Sequence, residues 1–75
     1  MTTKQLDAKG LRCPLPVLKA RRAMKELTLG DVLEIESTDP GSVADFANFC
    51  ETTGHRLLGQ ESAEGIYSFR IEKSG

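Results

Sequence analysis

The run Gly10-Leu11-Arg12-Cys13-Pro14-Leu15-Pro16-Val17 sets a thiol after an arginine and ahead of two prolines that flank a single residue. A residue before proline is pushed out of the α region, so a helix opening at Pro14 puts Cys13 at its N-cap. Pro14 and Pro16 then fall in a first turn whose N–H groups have no intrahelical acceptor, where a missing donor does no harm. The N–H groups of Leu15 and Val17 are left to face the sulfur, with the positive end of the helix dipole behind them. A thiolate so placed, next to the Arg12 cation, is predicted to have a pKa below the roughly 8.5 of a free thiol. The chemistry expected of Cys13 is therefore that of an exposed, rigidly presented sulfur nucleophile, with Gly10 permitting the turn that leads into it.

The second thiol reads differently. Cys50 takes the last place of an i, i+3, i+4, i+7 stripe with Val43, Phe46 and Ala47, and a buried free cysteine behaves as a small hydrophobe. Dithiol exchange would need a resolving cysteine close to Cys13, and the chain has no CxxC. Two cysteines and His55 lack the ligand spacing of a zinc or iron–sulfur site, so no metal and no cofactor is expected. His55 follows Gly54 at the expected end of a helix, where a positive imidazole would face the helix C-terminus. A Cys13–His55 hydrolase dyad would lack both an orienting acid and a pocket.

These residues need elements to hold them. Leu6 and Ala8 in the stretch 4–8 alternate with polar neighbours and predict a first strand, which Gly10 ends. From Pro14 to about Thr28, Val17, Ala20, Met24 and Leu27 fall on one helical face, while Lys19, Arg22 and Lys25 take the other. Gly30-Asp31 closes that helix, and residues 32–38 alternate as a second strand with Leu33 and Ile35 on one side. Asp39 and Pro40 are suited to the start of a second helix, which Gly54 ends. Residues 55–62 and 66–72 flank Ala63-Glu64-Gly65 as a hairpin, with Tyr67, Phe69 and Ile71 inward. The order βαβαββ predicts an α+β fold, a two-layer α/β sandwich with a mixed four-stranded sheet and both helices on one face.

Seventy-five residues of 39% apolar content allow one small domain, 1–75. No apolar run exceeds two residues, against the roughly 20 that a membrane-spanning helix needs. With no secretory h-region and only two thiols, a cytoplasmic location is expected. The net charge of −1 conceals an asymmetry. Lys9, Arg12, Lys19, Arg21, Arg22 and Lys25 fall in residues 8–25 without a single acid, whereas residues 26–64 carry nine acids against Arg56. A basic strip of Arg12, Lys19, Arg22 and Lys25 is expected to orient acidic partners. An alternative reading, an RNA-binding or regulatory module with Cys13 as a redox switch, has little to stack bases on. The aromatic residues are Phe46, Phe49, Tyr67 and Phe69, and most are assigned to the core.

Leu6-Asp7-Ala8, the run from Gly10 to Val17 with its Cys-Pro-x-Pro core, Thr38-Asp39-Pro40 and Gly54-His55 together make the chain resemble, over nearly its whole length, the TusA/SirA-like sulfur carrier family. The resemblance implies a sandwich like the C-terminal domain of the third bacterial translation initiation factor. It implies that Cys13 accepts sulfane sulfur as a persulfide from a cysteine desulfurase or a rhodanese-type sulfurtransferase. It further implies delivery to an acceptor such as a DsrE-type protein, for tRNA thiolation, molybdenum cofactor synthesis or sulfur oxidation. Position 15, often Glu in the tRNA-thiolation branch, is Leu here.

Overall fold

The computed structural model describes residues 2–75. Its elements are β1 (Thr3–Ala8), α1 (Leu15–Met24), β2 (Val32–Ser37), α2 (Ser42–Thr53), β3 (Arg56–Ala63) and β4 (Ile66–Glu72). The four strands form one sheet in the order β1-β2-β4-β3. β1 and β2 run parallel, Thr3 opposite Val32 through Ala8 opposite Ser37. β4 runs antiparallel to both β2 and β3. The expected βαβαββ order and mixed sheet are what the chain adopts.

Strand alternation explains why the sheet has one dry face. Leu33, Ile35, Phe69 and Ile71 are buried against the helices, and the register sets Ile35 opposite Phe69 and Leu33 opposite Ile71. On the other face Glu34 pairs with Arg70, their side chains 3.2 Å apart. From α1 the core takes Pro16, Ala20, Ala23 and Met24, and from α2 Ser42, Phe46, Phe49 and Cys50. The Phe46 and Phe69 rings pack 4.6 Å apart between centroids, within the range where aromatic pairs add to simple burial. Ala47, expected inside, is exposed, and Phe49 takes the place instead. The larger ring gains more by burial, so the buried stripe of α2 runs through Phe49 and leaves Ala47 outside.

The turns follow from local chemistry. Glu64 and Gly65, both at positive φ, join β3 to β4 as the two-residue turn whose twist matches the strands. Gly54 ends α2 in the left-handed conformation, its N–H donating to Cys50 O at 3.0 Å. The first helix is shorter than the expected span to Thr28. After Met24 the chain tightens into i→i−3 bonds from Glu26 and Leu27. Lys73 Nζ donates to the carbonyls of Met24 and Leu27 at 2.8 and 2.6 Å, and a cation at that end suits the helix dipole. Asp31 completes the turn, accepting from the Thr28 N–H and hydroxyl and from the Thr2 N–H, each at 3.0 Å. Those donors hold its carboxyl below the usual carboxylate range.

Candidate functional site

Cys13 stands where two connections meet, the β1–α1 loop and the β2–α2 loop. The parallel pairing of β1 with β2 brings the ends of both strands, and hence both loops, to one edge of the sandwich. Gly10, at φ 82, turns the chain out of β1. Its N–H donates to Thr38 Oγ1 at 2.9 Å and thereby ties the first loop to the second. The Arg12-to-Leu15 turn follows, closed by Leu15 N–H to Arg12 O at 2.8 Å, and the Cys13–Pro14 peptide within it is cis. A shallow depression at this edge is lined by Gly10, Leu11, Arg12, Cys13, Thr38, Asp39 and Pro40.

Three expectations about the thiol are corrected here. Pro14, not Cys13, occupies the N-cap of α1, because the turn takes up one residue more before the helix starts. The Leu15 N–H consequently serves that turn and is not directed at the sulfur. Third, the nearest charges to Cys13 are negative. The sulfur donates its proton to Asp45 Oδ2 in the first turn of α2, and the Cys13 N–H donates to Asp39 Oδ2. The hydrogen bond to Asp45, with lesser contributions from desolvation and the Asp45 and Asp39 charges, pushes the thiol up to about 11. Arg12 does not reverse this, since its charge acts on Asp39.

Asp39 is the hinge of the arrangement. One carboxylate oxygen accepts from the Gly41 N–H at 2.9 Å and the other from Cys13, and these two donors, first Cys13 and then Gly41, lower its pKa. It was expected to cap α2, but the N-cap is Gly41. Pro40 and Gly41 intervene, and Asp39 holds the first loop against the second instead. Beneath, Ser37 and Ser42 share a buried hydroxyl pair at 2.6 Å, and Ser37 Oγ accepts from the Asp39 N–H at 3.2 Å.

Cys13 is exposed and Cys50 buried, and both are free. Burial raises the Cys50 pKa, as suits an inert core thiol. His55 does not approach Cys13. Its Nδ1 accepts from the Ser74 and Gly75 N–H groups at 3.3 and 3.2 Å, and its ring lies 5.7 Å from Phe49. An accepting Nδ1 requires that nitrogen unprotonated, and desolvation and Lys73 lower the imidazole pKa. The positive imidazole expected at the end of α2 is thus a neutral one, because the backbone N–H groups that follow β4 supply the donors.

Of the expected basic strip, Arg12, Lys19, Arg22 and Lys25 are all exposed. Lys19 Nζ donates to Asp7 O at 2.9 Å and so fastens α1 to the end of β1. Arg22 and Lys25 make no ion pair among the described residues. Sequence reasoning missed Leu15 and Leu18, which are 48% and 52% exposed and share the face of Arg22 by spacings of three and four. It also missed Asp45. The signal for Asp45 was its place in the first turn of the second helix, but the contact with Cys13 spans 32 positions and no local pattern announces it.

A family model described as "Sulfurtransferase TusA" matches residues 4–73. The "Sulfur carrier protein TusA" of Allochromatium vinosum is 44% identical over 71 residues, covering 95% of this chain and 93% of that protein. YrkF of Bacillus subtilis is 47% identical over 70 residues; the alignment covers 93% of this chain but 38% of YrkF. Among solved structures, a SirA-like protein from Desulfitobacterium hafniense superposes with a TM-score of 0.80 at 28% identity, each chain covered in full. A family match over residues 4–73, a relative 44% identical along nearly the whole of both chains, and a shared fold lead to one conclusion: the chain belongs to the TusA family of sulfur carrier proteins.

Proposed function

We propose that Cys13 is the atom on which the sulfur travels. The observation that carries this reading is that Cys13 is the exposed thiol, set in a shallow edge and not in a pocket, whereas Cys50 lies in the core. A carrier must offer its sulfur to the active sites of other proteins, so protrusion serves it better than enclosure. In the transfer, the Cys13 sulfur forms a bond to the terminal sulfur of a donor persulfide. The donor's S–S bond breaks and its electron pair leaves with the donor thiolate, which takes up the Cys13 proton. The sum is Cys–SH + R–S–SH → Cys–S–SH + R–SH, with no net oxidant, and delivery to an acceptor cysteine is the same exchange in reverse.

Leu15 and Leu18 with Lys19, Arg22 and Lys25 form the surface that a donor or acceptor would meet, apolar next to the thiol and basic farther along the helix. A cysteine desulfurase or a rhodanese-type protein is the proposed donor and a DsrE-type protein the proposed acceptor, with tRNA thiolation, molybdenum cofactor synthesis and sulfur oxidation as destinations. Incubation with a cysteine desulfurase and cysteine, followed by intact mass measurement, is expected to add sulfur to the wild type and none to Cys13→Ser. Equal loading of the Cys13→Ser protein would refute the assignment.

A further inference from the structure

The polar contacts of Cys13 run against what a standing nucleophile would need. A helix N-terminus and a neighbouring arginine ordinarily favour the thiolate, yet the Leu15 N–H is occupied by Arg12 O and the sulfur points to a carboxylate. Asp45 is half-buried on the first turn of α2. Asp39 stands beside it on the β2–α2 loop with both oxygens engaged by backbone donors, from Cys13 and Gly41. The charged groups facing the thiol are thus Asp45 from α2, Asp39 from the β2–α2 loop and Arg12 from its own loop, and Arg12 acts on Asp39. A carboxylate can only accept, so the contact between Cys13 and Asp45 exists with the proton on sulfur and becomes a repulsion between two anions without it.

We propose that Asp45 is a positioning residue that keeps Cys13 as the thiol while the protein is free, so that the sulfur becomes nucleophilic only where that carboxylate is drawn away or neutralised. The inference deepens the sulfur carrier reading and rests on it for its purpose. An exposed cysteine left as thiolate between encounters would be open to peroxides and to mixed disulfides, since the thiolate is the reactive form. A hydrogen-bonded thiol is protected from both without being buried. The proton stays in the S–H···Oδ2 contact, and no redox partner is involved.

The size of the effect can be worked out. A thiol at about 11 is ionised to about one part in 10⁴ at pH 7, and one near 8.5 to about three parts in 100, a ratio of roughly 300. The lower intrinsic nucleophilicity of the less basic thiolate returns more than tenfold of this and leaves a net gain of about twentyfold. The test is the pH dependence of alkylation by iodoacetamide from neutral to strongly alkaline pH, read at the Cys13 peptide by mass spectrometry so that Cys50 does not interfere. Wild type is expected to react with a midpoint near 11, and Asp45→Asn and Asp45→Ala with midpoints displaced toward 8.5 and rates at pH 7 about twentyfold higher. Profiles of both variants that overlie the wild type, with far-UV circular dichroism unchanged, would overturn the proposal. No sulfur donor takes part, so this outcome is independent of whether Cys13 accepts sulfur.

Discussion

Replacing Ser37 by alanine removes the hydroxyl on which the floor of the Cys13 edge depends. Ser37 and Ser42 are 0% and 1% exposed, their oxygens 2.6 Å apart, and Ser37 also accepts the Asp39 N–H. Without the Ser37 oxygen, the Ser42 hydroxyl and the part-buried Asp39 N–H both lose their partners. Leaving a buried polar group unsatisfied costs about 1–3 kcal/mol, which places Ser37→Ala at about 3 kcal/mol. Ser42→Ala is milder, about 1 kcal/mol, because Ser37 keeps the Asp39 N–H. In the double variant the Ser42 hydroxyl no longer exists to be orphaned, so the loss is about 2 kcal/mol and the two sites couple by about 2 kcal/mol. Against the roughly 4–11 kcal/mol expected of a 75-residue domain, each step is measurable by urea unfolding with a common slope. Single losses that simply add, to within about 0.5 kcal/mol, would refute the buried pair as a coupled unit.

His55 supplies a pH test. Its folded pKa is depressed, so the stability it contributes is fully present above the unfolded value of about 6.5 and is lost as pH falls through the lower folded value; the protection of the Ser74 and Gly75 amides, taken against their intrinsic exchange rate at each pH, should fall over that acid interval in the wild type and be absent already at neutral pH in His55→Ala, and protection indifferent to both changes would contradict the hydrogen bonds. Arg22→Glu with Lys25→Glu should slow sulfur transfer to an acidic partner several-fold at low ionic strength and little at about 1 M salt, where the Debye length is about 3 Å, and should cost about 1 kcal/mol of stability because both lie at the end of α1, where an acid opposes the helix dipole; a transfer rate unaffected by salt in the wild type would remove these residues from docking.

The layers and their order were legible because apolar period and element type agree along the chain. Leu33, Ile35, Phe69 and Ile71 alternate as half-buried strands must, and Ala20, Met24 and Leu27 recur as a helix face must. The thiol was legible as well, since the two prolines mark a helix start and expose what precedes it. Its electrostatic setting was not. Read along the chain, Cys13 lies in a segment of six cations and no acid; in space, Asp39 and Asp45 are its nearest charges. Local sequence reports charge at short separation, whereas the parallel β1–β2 pairing carries the middle of the acidic segment 26–64, with Asp39 and Asp45, to the same edge. Ala47 and Phe49 exchanged places for a related reason, because two apolar stripes one step apart on α2 differ only in what they meet across the interface.

The position of β4 has a consequence for how the chain reaches this state. β4 comes last of the strands yet lies inside the sheet, between β2 and β3. Until residues 66–72 exist, β2 has a bare edge, Leu33 and Ile35 lack Phe69 and Ile71 across from them, and Phe46 lacks the ring it stacks on. A nascent chain that has emerged through α2 therefore holds an unfinished sheet with an open, apolar edge, the kind of template that pairs with other chains. Closure waits on β4, which must be inserted and not appended, and Lys73 then fastens the end of α1. Maturation of the Cys13 edge is in this sense gated by the arrival of β4.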